Sequence, residues 1–185
     1  MWKWIAGIVV VLVLAALWMT SIYNNLVGLD QNAKTAWAQV ENQLQRRFDL
    51  IPNLVSTVKG YAKHERELLE NITKARSAWA GAQTQTDKIN AANQTQSFLS
   101  RLMVVVENYP QLKANQNFLA LQDELAGTEN RIATERMRYN QAVQLYNVTA
   151  RRIPTVFFVR LFGFDPEKML FEATGEAATA PKVNF

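Results

Sequence analysis

His64 is the only histidine in the chain, and Glu65 follows it. An imidazole beside a carboxylate is a common beginning for a metal site. A di-iron helical bundle, however, needs two Glu-x-x-His motifs and two further carboxylates, and Tyr61 stands where the glutamate of such a motif would precede His64. Zinc asks for several His or Cys ligands, and there is no cysteine. A nucleophilic triad would have to pass through His64, and no G-x-S-x-G turn supplies its serine. Neither a G-x-x-x-x-G-K phosphate loop nor a G-x-G-x-x-G dinucleotide turn is present. The residues therefore predict no catalytic group, no cofactor and no metal, and leave His64 a surface or interface residue.

Polar residues inside apolar seams carry more information. Arg47, Glu65 and Glu135 fall at helical spacing among apolar neighbours. One reading places them at seam edges, with their heads reaching water along the apolar stem. The other makes them buried charge pairs, with Arg131, Arg136 or a second subunit as partners, because an isolated buried charge costs several kcal/mol. A separate apolar cluster, Phe157, Phe158, Leu161, Phe162 and Phe164, lies in VFFVRLFGF after Pro154. This is a predicted interaction segment with three open fates: a cap on the bundle, a membrane-surface contact or a joint to a neighbouring subunit. The Asn-rich run 107–117 is read as a capped turn, with a partner-docking corner as the alternative.

These residues need elements to hold them, and helical spacing is the dominant signal. Leu26, Leu29, Ala33, Trp37, Val40, Leu44, Arg47 and Ile51 recur at steps of three or four. So do Leu54, Val58, Tyr61, Glu65, Leu68, Ile72, Ala75 and Trp79, then Ile89 to Val106, then Phe118 to Tyr146. Four such stripes predict an all-α bundle. The punctuation is Pro52, the stretch 81–87 with its Gly, Thr and Asp, the Asn108-Tyr109-Pro110 corner and Pro154. A break at Pro52 is expected. A single kinked helix through it remains open, because the stripe keeps its phase across the proline. Gly163 and Asp165-Pro166 mark a turn, residues 173–182 a small polar tail, and Val183-Asn184-Phe185 a short docked end.

Ahead of the bundle, residues 4–23 form one apolar run flanked by Trp2, Trp4, Trp18 and Tyr23. About 20 helical residues span a hydrocarbon core of about 30 Å, and Trp and Tyr favour its interfaces. The bulky Leu17, Trp18 and Met19 argue for a retained anchor rather than a cleaved signal peptide. Lys3 before the span favours a cytoplasmic N-terminus and a bundle outside the cytoplasm, by a single charge. The net charge is +4, with both signs interspersed, so no basic stripe predicts nucleic-acid binding. Weak attraction to anionic membrane lipid is expected.

Several segments then take on a family character. RRFDLIPNLVSTVKGYAKHE (46–65), ENYPQLKANQNFLALQDEL (107–125), ENRIATERMRYNQAVQLYN (129–147), FGFDPEKMLFEA (162–173) and the final VNF resemble the LemA family of bacterial membrane proteins. The resemblance implies an N-terminal transmembrane helix, an up-and-down four-helix bundle, and no enzymatic activity to carry over. The expected organisation is an anchor at 1–23, a bundle at 24–153 and an aromatic extension with a tail at 154–185. The expected function is a non-enzymatic, homo-oligomeric scaffold of the bacterial inner membrane. The alternative is an adaptor for a membrane-associated protein partner, such as a protease or another envelope enzyme.

Overall fold

A computed structural model of the chain describes residues 2–62 and 64–171. Six helices follow in order: α1 Trp2–Lys59, α2 Arg66–Gly81, α3 Gln85–Val106, α4 Pro110–Lys113, α5 Gln116–Arg151 and α6 Thr155–Leu161. There is no strand among the described residues, and the packing is bundle-like. The predicted tail 173–182 and the final VNF lie outside them.

The break expected at Pro52 is absent: α1 runs through the proline as one helix of 58 residues, from the apolar N-terminal run into the bundle. Proline at 52 removes the N–H that would bond the carbonyl of Phe48, four residues back. That carbonyl instead accepts from Arg76 Nε of α2 at 3.1 Å. With the lost bond replaced and the apolar stripe in phase on both sides, the helix has no cause to stop. It ends at Lys59, where the Tyr61 and Ala62 amides both turn back onto the Val58 carbonyl, at 3.0 and 2.9 Å.

The other predicted boundaries hold. Thr84 caps α3, accepting from the Asp87 amide at 3.1 Å while its hydroxyl donates to Asp87 Oδ2 at 2.7 Å. The hydroxyl caps the helix, and the Asp87 carboxylate fixes the orientation of that hydroxyl. The Asn-rich corner takes its capping role: Asn115 Oδ1 accepts from the Phe118 amide at 3.1 Å at the start of α5. Asn115 Nδ2 also donates to the Tyr61 hydroxyl at 3.0 Å. Tyr61, read as a seam residue, sits in the turn after α1 and is 40% exposed.

The helices pack as two compact units. One comprises residues 40–134 with Phe171. Its core takes Leu44, Phe48 and Ile51 from α1, Ile72 and Trp79 from α2, Leu99 and Leu102 from α3, and Leu125 and Ile132 from α5. The Phe48 ring stacks on Trp79 with centroids 4.5 Å apart. The other unit comprises residues 2–39 and 135–170. Its core is Leu26, Tyr146, Ala150 and Val159, with Ile22, Leu29 and Phe164 packed against it. Trp37 meets Tyr139 edge-on further along. Leu26 thus lies with Ala150 and Trp37 with Tyr139, so within this unit α1 and α5 run antiparallel.

Candidate functional site

In the unit built on residues 2–39 and 135–170, the chain after α6 is strapped along α5. The strap begins at a helix end of defined geometry. Gly163 has φ +73°. The Phe164 amide reaches back to the Val159 carbonyl at 2.9 Å and the Gly163 amide to Arg160 at 3.4 Å. These two bonds make a Schellman motif, and Phe164 and Val159 supply its apolar contact. A side chain other than glycine would be strained at that φ.

Beyond the turn, α5 holds the strap through side chains spaced along one face. The Tyr146 hydroxyl donates to the Asp165 carbonyl at 2.6 Å. Asn147 pairs reciprocally with the Lys168 backbone, Nδ2 to carbonyl at 2.9 Å and amide to Oδ1 at 2.8 Å. The Tyr139 hydroxyl donates to the Met169 carbonyl at 2.7 Å. These bonds satisfy the backbone of an extended segment that has no sheet partner.

Lys168 closes the arrangement. Its Nζ lies 2.7 Å from Asp30 Oδ1 of α1 and 4.7 Å from the Tyr146 ring centroid. Lys34 meets the other Asp30 oxygen at 2.8 Å. Burial pushes the Asp30 carboxyl up, but the hydrogen bonds and charges of Lys168 and Lys34 outweigh it and hold it below its ordinary value. Burial, with the carboxylates of Asp30 and Asp165 adding to it, pushes the Tyr146 phenol up to about 12. Asp30, Tyr146 and Lys168 were not singled out as site residues from sequence. Tyr146 was visible only as a seam position and Lys168 only within FDPEK.

The predicted polar seam residues separate. Arg47 is buried, at 5% exposure, and its Nη1 pairs with Glu129 Oε2 at 2.5 Å. Burial lowers the Arg47 guanidinium pKa, and Glu129 recovers part of the shift. Glu65 is half-buried and accepts from the Tyr109 hydroxyl at 3.2 Å. Glu135 is also half-buried and pairs with Arg138 at 2.7 Å. Glu129 is the partner observed for Arg47, and Arg138 the one observed for Glu135. The geometric reason is that Arg47 needs an acid and finds it on α5, while Glu135 is served within its own helix at i+3.

The aromatic segment also divides. Phe158 meets Trp18 edge-on at 6.0 Å, and Phe162 meets Tyr23 at 5.1 Å. Phe164 lies 5.8 Å from Tyr23. Phe157 and Leu161 remain 68% and 70% exposed. His64 is exposed, and no group of three or more His, Cys, Asp or Glu converges among the described residues. In the unit of residues 40–134, an open groove of about 760 Å³ is lined by Val55, Ala62 and Leu69 together with Lys59, Lys74 and the ion pair of Arg66 with Glu70.

A family profile, described as the LemA family, matches residues 36–185. The chain belongs to the LemA family. Among its relatives are two magnetosome proteins, MamQ 1 and MamQ 2, of Paramagnetospirillum magneticum. Each is 25% identical over 168 residues, covering 77% of this chain and 62% of theirs. Protein LemA of Metamycoplasma hominis is 27% identical over 125 residues, covering 67% of this chain and 57% of its own. The chain thus spans less than two thirds of the length of these curated relatives.

In this LemA-family, membrane-associated chain, the segments that carried the resemblance also hold the polar cross-links. Arg47 and Tyr61 lie in 46–65, Asn115 in 107–125, Glu129 and Tyr146 in 129–147, and Asp165 and Lys168 in 162–173.

Proposed function

We propose that this LemA-family protein is a non-enzymatic, single-pass scaffold of the bacterial inner membrane, anchored by the N-terminal part of α1 and assembled as a homo-oligomer. The observation that carries the anchor is the most apolar 18-residue window of α1, with a mean hydropathy of 2.6 and none of its residues buried. Apolar surface that its own chain leaves largely uncovered needs lipid or protein around it. The observation that supports assembly is on α5, where Met137, Leu145 and Val148 are exposed. At about 100° per residue these three fall within about 80° of one another, a narrow apolar edge suited to a second copy. Lys3, the charge nearest the anchor's start, supports a bundle outside the cytoplasm.

A second reading, an adaptor for a membrane-associated protein partner, draws on the groove beside Leu69. Its apolar residues, with Lys59 and Lys74 among the lining, suit a helical segment carrying acidic flanks. Mass measurement of the full chain extracted in detergent separates the two. A defined homo-oligomer that Leu145→Glu with Val148→Glu reduces to monomer supports the scaffold. A monomer that co-purifies from native membranes with one partner in fixed ratio supports the adaptor and overturns the scaffold.

A further inference from the structure

The exposed edge of α6 lies beside the end of the apolar run. We propose that α6 is an interfacial membrane helix, whose Ile153, Phe157 and Leu161 edge enters the lipid surface where α1 leaves the bilayer, with Arg152 and Arg160 set toward anionic headgroups. This rests on the reading of α1 as a membrane span.

Three observations converge. The first is the division of α6 into faces. Val159 is buried in the core with Leu26, Tyr146 and Ala150. On a helix of about 3.6 residues per turn, Val159 projects about 200° from Phe157, and Leu161 only about 40° from it. The face opposite the core is therefore apolar, and Ile153, just before the helix, is 81% exposed beside it. Two large apolar side chains at i and i+4 facing away from the core, with a third exposed just before the helix, do not suit a helix surrounded by water.

The second is depth. About 20 residues cross the hydrocarbon, so a span beginning near Trp4 ends near Tyr23. The two aromatic residues at that end are the ones α6 packs against: Trp18 through Phe158 and Tyr23 through Phe162. Five residues of helix rise about 7.5 Å, so these contacts hold α6 at the boundary layer of the hydrocarbon, from the Tyr23 level to about 7.5 Å inside it. Trp and Tyr rings favour that layer themselves.

The third is charge. Arg152 and Arg160 are exposed, and α6 itself carries no acidic residue. Arg151 is engaged with Glu167 at 2.5 Å. A short helix with an apolar outer face and flanking arginines matches surface binding to anionic lipid, with the arginine stems lying along the apolar layer. A second copy of the chain is the competing occupant. The lipid surface is favoured because α6 packs through Phe158 on Trp18, within the stretch of α1 that the bilayer itself would surround.

The chain has no cysteine, which allows single spin labels without background. Full-length protein would carry Phe157→Cys, Leu161→Cys, Leu12→Cys or Val104→Cys. Each variant would be labelled and reconstituted in phosphatidylcholine vesicles with and without phosphatidylglycerol. Accessibility to oxygen relative to a water-soluble nickel complex reads depth. Labels at 157 and 161 should show a ratio several-fold above that at Val104, an exposed position on α3, and below that at Leu12. Phosphatidylglycerol should raise the ratio at 157, and Arg152→Gln with Arg160→Gln should abolish that rise. A ratio at 157 equal to that at 104, with Leu12 deep, overturns the interfacial helix and leaves the anchor intact. A Leu12 label that is itself water-accessible overturns the anchor. Dipolar broadening at 157 that disappears on dilution with unlabelled protein assigns the edge to a second copy and overturns the lipid contact. A ratio at 157 unmoved by phosphatidylglycerol overturns the role given to the arginines.

Discussion

Arg76 Nε donates to the carbonyl oxygen of Phe48, the one main-chain acceptor of α1 that Pro52 deprives of its helical donor. The two residues belong to different helices, so the repair of α1 depends on α2 being docked. The Phe48 ring stacking on Trp79, one helical turn from Arg76, fixes the same pair of helices.

This relationship has a direct test. Arg76→Met leaves the Phe48 carbonyl without a donor and should cost about 1–3 kcal/mol in chemical denaturation followed by far-UV circular dichroism. Pro52→Ala restores the missing N–H and should reduce the loss caused by Arg76→Met to well under half. Equal losses in the two backgrounds would mean that Arg76 stabilises the protein by another route.

The same pair shows where sequence reasoning reached its limit. The stripe from Leu26 to Ile51 lands on the inner side of α1 because helical period alone sets which residues share a face. Pro52 reads as a break because local rules register a missing N–H and cannot see a guanidinium arriving from α2. Tyr61 had the right spacing, but the helix ended two residues earlier. Phe157 and Phe158 are neighbours of one type, and only the docking of α6 tells the outward ring from the one on Trp18. Asp30 and Lys168 lie near opposite ends of the chain, so no spacing links them.

The Arg47–Glu129 pair should behave as a charge that needs its partner. Glu129→Gln removes the counter-charge while Arg47 stays buried. The expected loss is about 3 kcal/mol, at the low end for a broken buried pair, because the Glu129 side chain remains 36% exposed. Arg47→Met with Glu129→Leu should recover most of it, since an apolar pair in the same space carries no desolvation penalty. A double variant no more stable than Glu129→Gln would show that the pair does more than neutralise itself.

Core truncation gives a calibration. Leu44 and Ile132 are buried on α1 and α5 within one unit. Leu44→Ala and Ile132→Ala should each cost about 2–5 kcal/mol, with helix content retained at low temperature. Losses below about 1 kcal/mol at both sites would contradict the burial seen for them.

Acid should release the strap through Asp30. Its carboxyl titrates below the ordinary value of 3.8 in the folded chain. The unfolded chain therefore takes up this proton first as pH falls. The stabilisation is complete above 3.8 and is lost as pH drops from there through the folded value. Exchange of the Lys168 amide, which donates to Asn147, reads this locally. In the wild type its protection should hold at neutral pH and fall below 3.8. In Asp30→Asn protection should be lower at neutral pH and lack that acid step. An acid step of equal size in the variant would assign it to another carboxylate.

Alkali should act on the strap from the other side, through Tyr146. Its hydroxyl donates to the Asp165 carbonyl, and ionising it would place an anion against that oxygen and near Asp30. The folded chain therefore keeps the proton up to about 12, against an ordinary value of 10.0. Between those values the unfolded chain has already lost it, so folding stability falls with rising pH there and is unaffected by this group below 10. Tyrosinate absorbance resolves the titration. Of the five tyrosines, Tyr109 also titrates high, through burial and then Glu65, so the assignment rests on comparison with Tyr146→Phe. That variant should lose one tyrosine's worth of absorbance change near pH 12, and at neutral pH it should lose about 1 kcal/mol with the hydrogen bond. Its stability between pH 10 and 12 should decline less steeply than that of the wild type. If Tyr146→Phe leaves the amplitude of the late-titrating absorbance undiminished, the phenol is not held by the strap, and the contact between α5 and Asp165 is looser than its 2.6 Å hydrogen bond implies.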